Sequence, residues 1–272
     1  SLPVLRPYEQ FRNADLVFME STYGNRDHKS LKGTLEEFEA VAIDVAEHGG
    51  KILIPTFAIG RAQQLIYHLA EMFHKQMVKP FPIYVDSPMA IEAVKVYRKH
   101  LDLLDNEFQE LKTAGAFPVD ERYFIATPSA KESQVLNEIK GPMMILAGAG
   151  MCNGGRILHH FAHNISDPNT YVLIVGYQSY GSIGRKLVDG ADTIRIFGKE
   201  YKVNAKVRTL NGFSAHAGQS DLINWFSSLA ASNPKVVITH GEEEQRKTLG
   251  DLLKKKFGVK PVLPKLNEIV EL

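Results

Sequence analysis

The stretch "TLEEFEAVAIDVAEHGGKILIPT", residues 34–56, carries a helical pattern that is followed directly by a short apolar run. Its apolar residues first recur at intervals of three and four, which places them on one face of a helix. Thr34 and Glu37 have the spacing of a capping box, and Gly49 predicts the end of the helix. The run "KILIP" then has the length and composition of a buried strand. The stretch therefore predicts one helix and one strand of a covered sheet.

The same alternation of helix and strand continues through most of the chain. Strand-like runs such as "FPIYVD", "GPMMILAGAG" and "TYVLIVGYQ" are each followed by a helical pattern, with Gly, Pro or Ser at the junctions. This order predicts an α/β fold in which helices cover a largely parallel sheet. Residues 193–210, "TIRIFGKEYKVNAKVRTL", instead alternate apolar and polar side chains, which predicts half-exposed antiparallel strands.

Composition excludes several classes of protein. Apolar residues make up 44 % and charged residues 23 % of the 272 positions, as in ordinary globular proteins. A net charge of +1 argues against bulk electrostatic binding of nucleic acid but leaves a local basic cleft open. The single cysteine, Cys152, excludes an internal disulfide and favours a reducing compartment, so we expect a cytoplasmic protein. The longest uncharged run, "GPMMILAGAGMCNGG", is too short to span a bilayer, so no membrane partner is expected.

Three polar residues interrupt apolar surroundings where strands are predicted to end. Glu20 follows "LVFM", His240 follows "KVVIT", and His216 lies in "NGFSAHAG". The carboxyl ends of strands in such sheets hold ligands, so an acid and two imidazoles from distant segments can converge there. A single histidine of this kind is more often a hydrogen-bonded structural residue than a metal ligand. The three residues together are therefore the candidates for a site.

With their neighbours, these residues resemble a known family. The stretches "ESTYGNR", "FSAHA" and "THGE" are similar to the motifs of the β-CASP subgroup of metallo-β-lactamase-fold RNA-processing nucleases. The segments "PTFAIGRAQQLIYHL", "DSPMAI", "GAGMCNGGRILHHF" and "GYQSYGSIGRKL" also look like β-CASP segments, so the resemblance covers nearly the whole chain. It implies an α/β fold in which a β-CASP parallel-sheet cassette is inserted into a metallo-β-lactamase αββα domain.

The resemblance implies a role for each of the three residues. Glu20 matches the acid of motif A and His216 the histidine of motif B, which form a catalytic pair beside the scissile phosphate. His240 matches the motif C histidine, a ligand of the second of two zinc ions. In the family a histidine at motif C accompanies action on RNA, so single-stranded RNA is the expected substrate. A homodimer is left open.

One departure from the family is large. The "HxHxDH" signature that supplies most zinc ligands precedes motif A in the family, but only "SLPVLRPYEQFRNAD" precedes the Glu20 strand in this sequence. We therefore expect a C-terminal portion of a longer enzyme that binds zinc incompletely and is inactive by itself. The implied domains are residues 1–24 and 209–272 for the metallo-β-lactamase part and residues 25–208 for the β-CASP part.

Five further residues are candidates for RNA binding. The loop "GAGMCNGGR" follows a strand and opens a helix, so Gly154, Gly155 and Arg156 could contact phosphate, with tight helix packing as an equal alternative. Arg61 and Arg185 lie in the first turns of predicted helices, where a cation is unfavourable because it opposes the helix dipole. Each is therefore expected to pair with a phosphate of RNA or with an internal acidic side chain.

The hypotheses for function rank in a clear order. The first is metal-dependent hydrolysis of RNA phosphodiesters, and the second is a non-catalytic RNA-binding or scaffold subunit. A third, nucleotide binding by the glycine loop, is disfavoured because Asn153 replaces the third glycine of G-x-G-x-x-G. The histidines of "HHFAH", residues 159–163, are expected to pack in the interior rather than to bind a metal.

Overall fold

The computed structural model describes residues 10–100, 103 and 123–271, which fall into two compact units. Unit 1 contains Lys29–Phe213, and unit 2 contains residues 10–28 and 214–271. Unit 2 is thus assembled from two segments that are separated in sequence by the described part of unit 1. Residues 1–9 of the predicted segment 1–24 lie outside the described part, and the predicted domain limits stay predictions.

A six-stranded parallel sheet forms the centre of unit 1. Its strand order is β4-β3-β5-β2-β6-β9, and every pairing between neighbours is parallel. Order and direction confirm the α/β class that the alternating sequence pattern predicts. The strands are β2 (Lys51–Pro55), β3 (Ile83–Asp86), β4 (Phe124–Ala126), β5 (Met143–Ala147), β6 (Thr170–Ile174) and β9 (Lys206–Thr209).

Helices connect and cover these strands. In the described residues of unit 1 they are α1 (Leu31–His48), α2 (Arg61–His74), α3 (Pro88–Lys99), α4 (Ala130–Val135), α5 (Arg156–Asn164) and α6 (Ile183–Val188). Strand β2 shows why helices lie on both faces. Ile52 and Ile54 pack with Phe38 of α1, whereas Leu53 between them packs with Phe161 of α5. Successive strand residues point to opposite faces, and both faces of the sheet are buried here.

The predicted start of α1 is wrong by one turn. Ser30, not Thr34, caps the helix, because the Ser30 hydroxyl oxygen accepts a hydrogen bond from the backbone N–H of Gly33. Thr34 is fully buried inside the helix, and Glu37 forms an exposed ion pair with Lys29 instead of closing a capping box. The predicted end is confirmed, since Gly49 terminates the helix at a positive φ of 80°.

The predicted antiparallel region is correct only in part. Strands β7 (Thr193–Ile196) and β8 (Lys199–Lys202) form an antiparallel hairpin. The next strand, β9, instead joins the parallel sheet beside β6. Its alternating pattern arises because an edge strand of a parallel sheet is also covered incompletely.

Unit 2 is built around a pair of parallel strands. Strand β1 (Leu16–Met19) pairs with β10 (Lys235–Ile238), and Val262 adds an isolated bridge to Val237. Helices α7 (Gln219–Ser227) and α8 (Glu243–Phe257) supply Phe226 and other buried residues to a common core with both strands. In the described residues, no helix of either unit is long and apolar enough to cross a membrane.

Candidate catalytic and metal site

The candidate site of unit 2 lies where β1 and β10 end. Because the strands are parallel, with Met19 opposite Ile238, their carboxyl ends lie at the same edge. Glu20 directly follows β1, and His240 follows β10 after Thr239. His216 comes from the loop that precedes α7. The structure thus brings together the three residues that the sequence singled out, with potential ligand atoms of all three within 4.8 Å of one another.

A tight junction between the two strand ends positions His240. The backbone N–H of Ser21 donates to the carbonyl oxygen of His240 at 3.2 Å, and the Ser21 hydroxyl donates to Thr239 at 2.9 Å. A Cβ on Gly241 would lie 2.3 Å from the Ser21 Oγ atom, so only glycine fits there. His240 itself adopts a left-handed φ of 46°, a conformation that is uncommon for residues other than glycine and concentrates at functional sites.

The loop that carries His216 is fixed by the end of the "ESTYGNRDH" segment. The His28 Nε2 atom hydrogen-bonds the carbonyl oxygen of His216 at 2.9 Å. Asp27 accepts hydrogen bonds from the backbone N–H of Ser220 at 2.8 Å and from its hydroxyl at 2.7 Å. These bonds hold the first turn of α7, where a negative charge is favourable, and they lower the pKa of Asp27.

Glu20 and His216 form a hydrogen-bonded pair. The Glu20 Oε2 atom lies 3.3 Å from the His216 Nδ1 atom and accepts a bond of 2.8 Å from the backbone N–H of Thr22. Its other oxygen accepts from the backbone N–H of Ala217 at 3.1 Å. Burial opposes ionisation of Glu20, but the bonds from His216 and Thr22 outweigh burial and lower its pKa to about 2. The carboxylate is therefore ionised at neutral pH.

Thr22 links the two imidazoles. Its hydroxyl oxygen lies 3.3 Å from the His216 Nδ1 atom and 3.2 Å from the His240 Nδ1 atom. The two rings stand close together, with centroids 5.1 Å apart. Thr22, Asp27 and His28 were missed by the sequence reasoning, although all three lie beside Glu20 in the chain. The only feature of the sequence that could have pointed to them is their position shortly after Glu20, a candidate acid.

The donor set suits zinc at one position. His240 is exposed, and its Nδ1 atom is engaged by Thr22 while no hydrogen bond is seen at Nε2 among the described residues. Histidine ligands in metalloproteins commonly bind through one nitrogen and hydrogen-bond through the other. The Glu20, His216 and His240 cluster is the one group of three or more potential ligands in the described ranges. One such cluster is too small for two zinc ions, each of which needs about three protein ligands.

In unit 1, the guanidinium of Arg156 is held internally. Its Nη1 atom lies 2.7 Å from the Oδ1 atom of Asp86, which is fully buried, and also donates to the carbonyl oxygen of Thr127. Gly155 caps α5 at a φ of 74°, whereas the Cα atom of Gly154 faces open space. The packing alternative thus applies to Gly155 and Arg156, and the RNA role of all three residues stays a prediction.

The other two predicted RNA-binding cations also have intramolecular contacts. The Nε atom of Arg185 donates to both carboxylate oxygens of Asp189 at 2.9 Å, and the Arg185 side chain stays 35 % exposed. Arg61 is buried and donates to the Oε1 atom of Gln64. Neither contact tests whether phosphate binds, so both assignments remain predictions.

The expectation that the "HHFAH" histidines pack in the interior is correct for His160 and wrong for His159 and His163, which are exposed. His160 is fully buried, and its two ring nitrogens contact Asp86 at 2.6 Å and Asn137 at 2.9 Å. The Nδ1 atom of His163 bonds the carbonyl oxygen of His159. The His160 contacts belong to the interior of unit 1, whereas the His163 contact lies on its surface.

Comparisons with known proteins decide the family. Residues 62–187 match the model of the Beta-Casp domain, and residues 200–264 match the model of the Zn-dependent metallo-hydrolase RNA specificity domain. The chain belongs to the β-CASP subgroup of the metallo-β-lactamase fold. This confirms the predicted family, and "FSAHA" and "THGE" lie within the second match. The parallel sheet of unit 1 fits the β-CASP cassette.

Individual β-CASP relatives cover much of the chain. A ribonuclease of Thermus thermophilus is 41 % identical over 240 residues, which are 88 % of this chain and 54 % of the relative. The transcription termination factor FttA of Methanosarcina mazei is 30 % identical over 258 residues, 92 % of this chain and 40 % of the relative. An RNase J-like protein of Methanocaldococcus jannaschii is 32 % identical over 234 residues, 85 % of this chain and 53 % of the relative. The chain thus spans about half the length of the curated relatives it matches.

Proposed function

We propose that the chain serves metal-dependent hydrolysis of phosphodiester bonds in single-stranded RNA. The observation that carries the proposal is the Glu20–His216 pair beside His240, at the common end of two parallel strands. The names of the family models and of the ribonuclease relative support action on RNA and a zinc-dependent hydrolase. RNA processing or decay is the corresponding biological class.

The geometry gives each residue a chemical task. Glu20 orients His216 through Nδ1, which leaves Nε2 to donate a proton to the departing oxygen. His240 would hold a zinc ion through its Nε2 atom. Bound zinc supplies an activated water and neutralises phosphate charge during attack. The two imidazoles that carry these tasks have ring centroids 5.1 Å apart.

The proposed cofactor is a pair of zinc ions, of which this chain would hold a part. His240 offers one imidazole nitrogen, and Glu20 is already engaged with His216, so the remaining ligands must come from outside the cluster. We propose residues 25–208 as the β-CASP part and residues 1–24 and 209–272 as metallo-β-lactamase segments. Among the proposed RNA contacts, Gly155 is exposed and the Arg185 side chain is 35 % exposed, whereas Arg61 is buried.

The experiment is an RNA-cleavage assay on the longest natural polypeptide that contains these 272 residues. A labelled single-stranded RNA is incubated with the zinc-loaded protein and with its His216→Ala and His240→Ala variants. Loss of a general acid lowers the rate by about 10²–10⁴-fold. His159→Ala is the matched control, because His159 lies in α5 of unit 1, outside the cluster. RNA that is bound but not cut by the unaltered protein would reject hydrolysis and favour the scaffold alternative.

A further inference from the structure

The hydroxyl of Thr22 lies at the centre of the candidate site. Its oxygen is 3.3 Å from the His216 Nδ1 atom, 3.2 Å from the His240 Nδ1 atom and 3.2 Å from the carbonyl oxygen of His240. Thr22 is 4 % exposed, so bulk water does not compete for these contacts. One hydroxyl has one proton to donate, and its oxygen has two lone pairs. The positions of the protons can therefore be worked out.

The contact with His216 is the first to be settled. The same Nδ1 atom lies 3.3 Å from the Glu20 Oε2 atom, and an ionised carboxylate can only accept a hydrogen bond. His216 must then carry a proton on Nδ1. A nitrogen that carries a proton cannot accept one, so the Thr22 hydroxyl donates elsewhere.

Three acceptors remain: the Glu20 carboxylate, with which the Thr22 side chain also interacts, and the carbonyl oxygen and Nδ1 atom of His240. The carbonyl oxygen can only accept, so without the hydroxyl proton its contact with Thr22 would bring together lone pairs at 3.2 Å. If the hydroxyl donates to this carbonyl, it has no proton left for the Nδ1 atom of His240. Their 3.2 Å contact is then a hydrogen bond only if Nδ1 carries a proton and donates it to the hydroxyl oxygen. Donation to the Glu20 carboxylate has the same consequence for His240, because the hydroxyl proton is again directed away from the Nδ1 atom. Donation to the His240 nitrogen instead leaves the contact with the carbonyl oxygen repulsive.

We propose that Thr22 is a positioning residue that holds His240 in the tautomer with the proton on Nδ1. The Nε2 atom of His240 then presents its lone pair outward, as a zinc ligand requires. The same hydroxyl accepts from His216 and so fixes the two rings side by side. The inference rests on the proposed function only for the use of this tautomer, which is zinc binding. The tautomer itself is a property of the metal-free chain.

The first test is nitrogen-15 NMR of the imidazoles in the metal-free 272-residue chain, with the His240 signals assigned by a His240→Gln variant. We expect the proton of His240 on Nδ1 in the unaltered protein and in Thr22→Ser, which keeps the hydroxyl. Thr22→Val has the same shape without the hydroxyl, and its His240 should move to the Nε2–H form. A proton on Nε2 in the unaltered chain, or no change in Thr22→Val, would overturn the inference.

A matched control separates this effect from simple loss of a threonine. The hydroxyl of Thr170 is buried and has no hydrogen-bond partner in the structure, so Thr170→Val makes the same chemical change in unit 1. It should leave the His240 signals unchanged.

A second readout is zinc affinity of the longest natural polypeptide that contains the chain. Thr22→Val should weaken zinc binding by about 10–100-fold, the usual cost of losing a hydrogen bond to a metal ligand, and Thr22→Ser should restore it. Equal affinity in the three proteins would contradict the role towards the metal. Failure of RNA cleavage with the expected tautomers would reject the proposed function and leave this inference standing.

Discussion

A single buried carboxylate organises one end of the sheet in unit 1. Asp86, the last residue of β3, is fully buried. It accepts hydrogen bonds at 2.6–2.7 Å from Thr127, Ser133, Arg156 and His160. Burial raises the pKa of Asp86, but these bonds together lower it to about 2, from an ordinary value of 3.8. A buried charge is tolerated here because it is paired and its lone pairs are filled.

This depressed pKa predicts a pH dependence. Because protons bind the unfolded state more readily, ionised Asp86 contributes about 2 kcal/mol of stability above about pH 4, and the contribution is lost as pH falls through about 2. Asp86→Asn should lower the free energy of unfolding near pH 7 by about 2–3 kcal/mol. The difference between the two proteins should shrink by roughly 1 kcal/mol at pH 3.

Urea unfolding followed by far-ultraviolet circular dichroism between pH 7 and pH 3 measures this difference. Asp189→Asn is the control, because Asp189 is 56 % exposed in its pair with Arg185 and should change stability by less than about 0.5 kcal/mol at any pH. A constant difference between Asp86→Asn and the unaltered chain across this range would contradict the assignment.

At the scale of single residues, the sequence identified the reactive side chains but not the residues that orient them through hydrogen bonds. Glu20, His216 and His240 were recognisable because polar residues at strand ends break an apolar pattern. Thr22 and His28 act through hydrogen bonds to His216 and His240, and such bonds leave no pattern in the sequence. Arg156 was ambiguous for a related reason, since its acid, Asp86, is 70 residues away and pairing depends on the fold.

The start of helix α5 depends on one glycine of the pair Gly154-Gly155. Gly155 has a φ of 74°, and a Cβ on it would lie 2.3 Å from the backbone oxygen of Gly148. A Cβ on Gly154 would meet nothing within 4 Å. We expect Gly155→Ala to lower the free energy of unfolding by about 2–3 kcal/mol, because strain and overlap add. Gly154→Ala should change it by less than about 0.5 kcal/mol.

These two variants also test the use of the loop in RNA binding. Thermal unfolding gives the stability of each, and a gel-shift assay with single-stranded RNA gives the affinity. A large destabilisation by Gly154→Ala would contradict the open environment described for it. A stable Gly154→Ala protein with weakened RNA binding would support a backbone contact to phosphate at this position.

Two phenylalanines of unit 2 differ in burial, so their substitution distinguishes core from surface positions. Phe226 in α7 is fully buried and stacks edge-on with Phe257 at 5.3 Å, whereas Phe18 in β1 is 61 % exposed. Phe226→Ala should cost about 3–5 kcal/mol, and Phe18→Ala should cost under about 1 kcal/mol. Trp225, the single tryptophan, packs against the same core, so its fluorescence during urea unfolding reports on unit 2. Equal effects of the two variants would contradict the described core.

Elements were predictable wherever the local pattern decides them. The period of the apolar residues located α1 and β2, and the glycine at the end of α1 was identified correctly. The cap was assigned to Thr34 because Thr and Glu at capping-box spacing are a strong local signal, yet Ser30 begins the helix one turn earlier. The pairing of β9 was beyond local reasoning, because its alternation fits both an antiparallel hairpin and the edge of a parallel sheet.

On the scale of the whole molecule, unit 2 depends on contacts between distant parts of the chain. Leu16 pairs with Lys235, and the Ser21 hydroxyl reaches Thr239 across 218 positions. No local pattern specifies such a pairing, so the resemblance to a known family, rather than periodicity, joined the three motifs into one site. The candidate site and the fold of unit 2 therefore form together.

The same organisation predicts how much zinc the 272-residue chain can hold. Two zinc ions need about six protein ligands, but the described residues cluster three, and Glu20 is engaged with His216. We expect fewer than two zinc ions per chain after zinc loading and dialysis, measured by elemental analysis, and no cleavage of single-stranded RNA by the same sample. Any zinc bound at the site should be lost in His240→Ala, because the Nε2 atom of His240 is the proposed ligand. Two tightly bound ions that survive His240→Ala would show that the ligands lie elsewhere, and the roles of Glu20, His216 and His240 would then have to be reassigned.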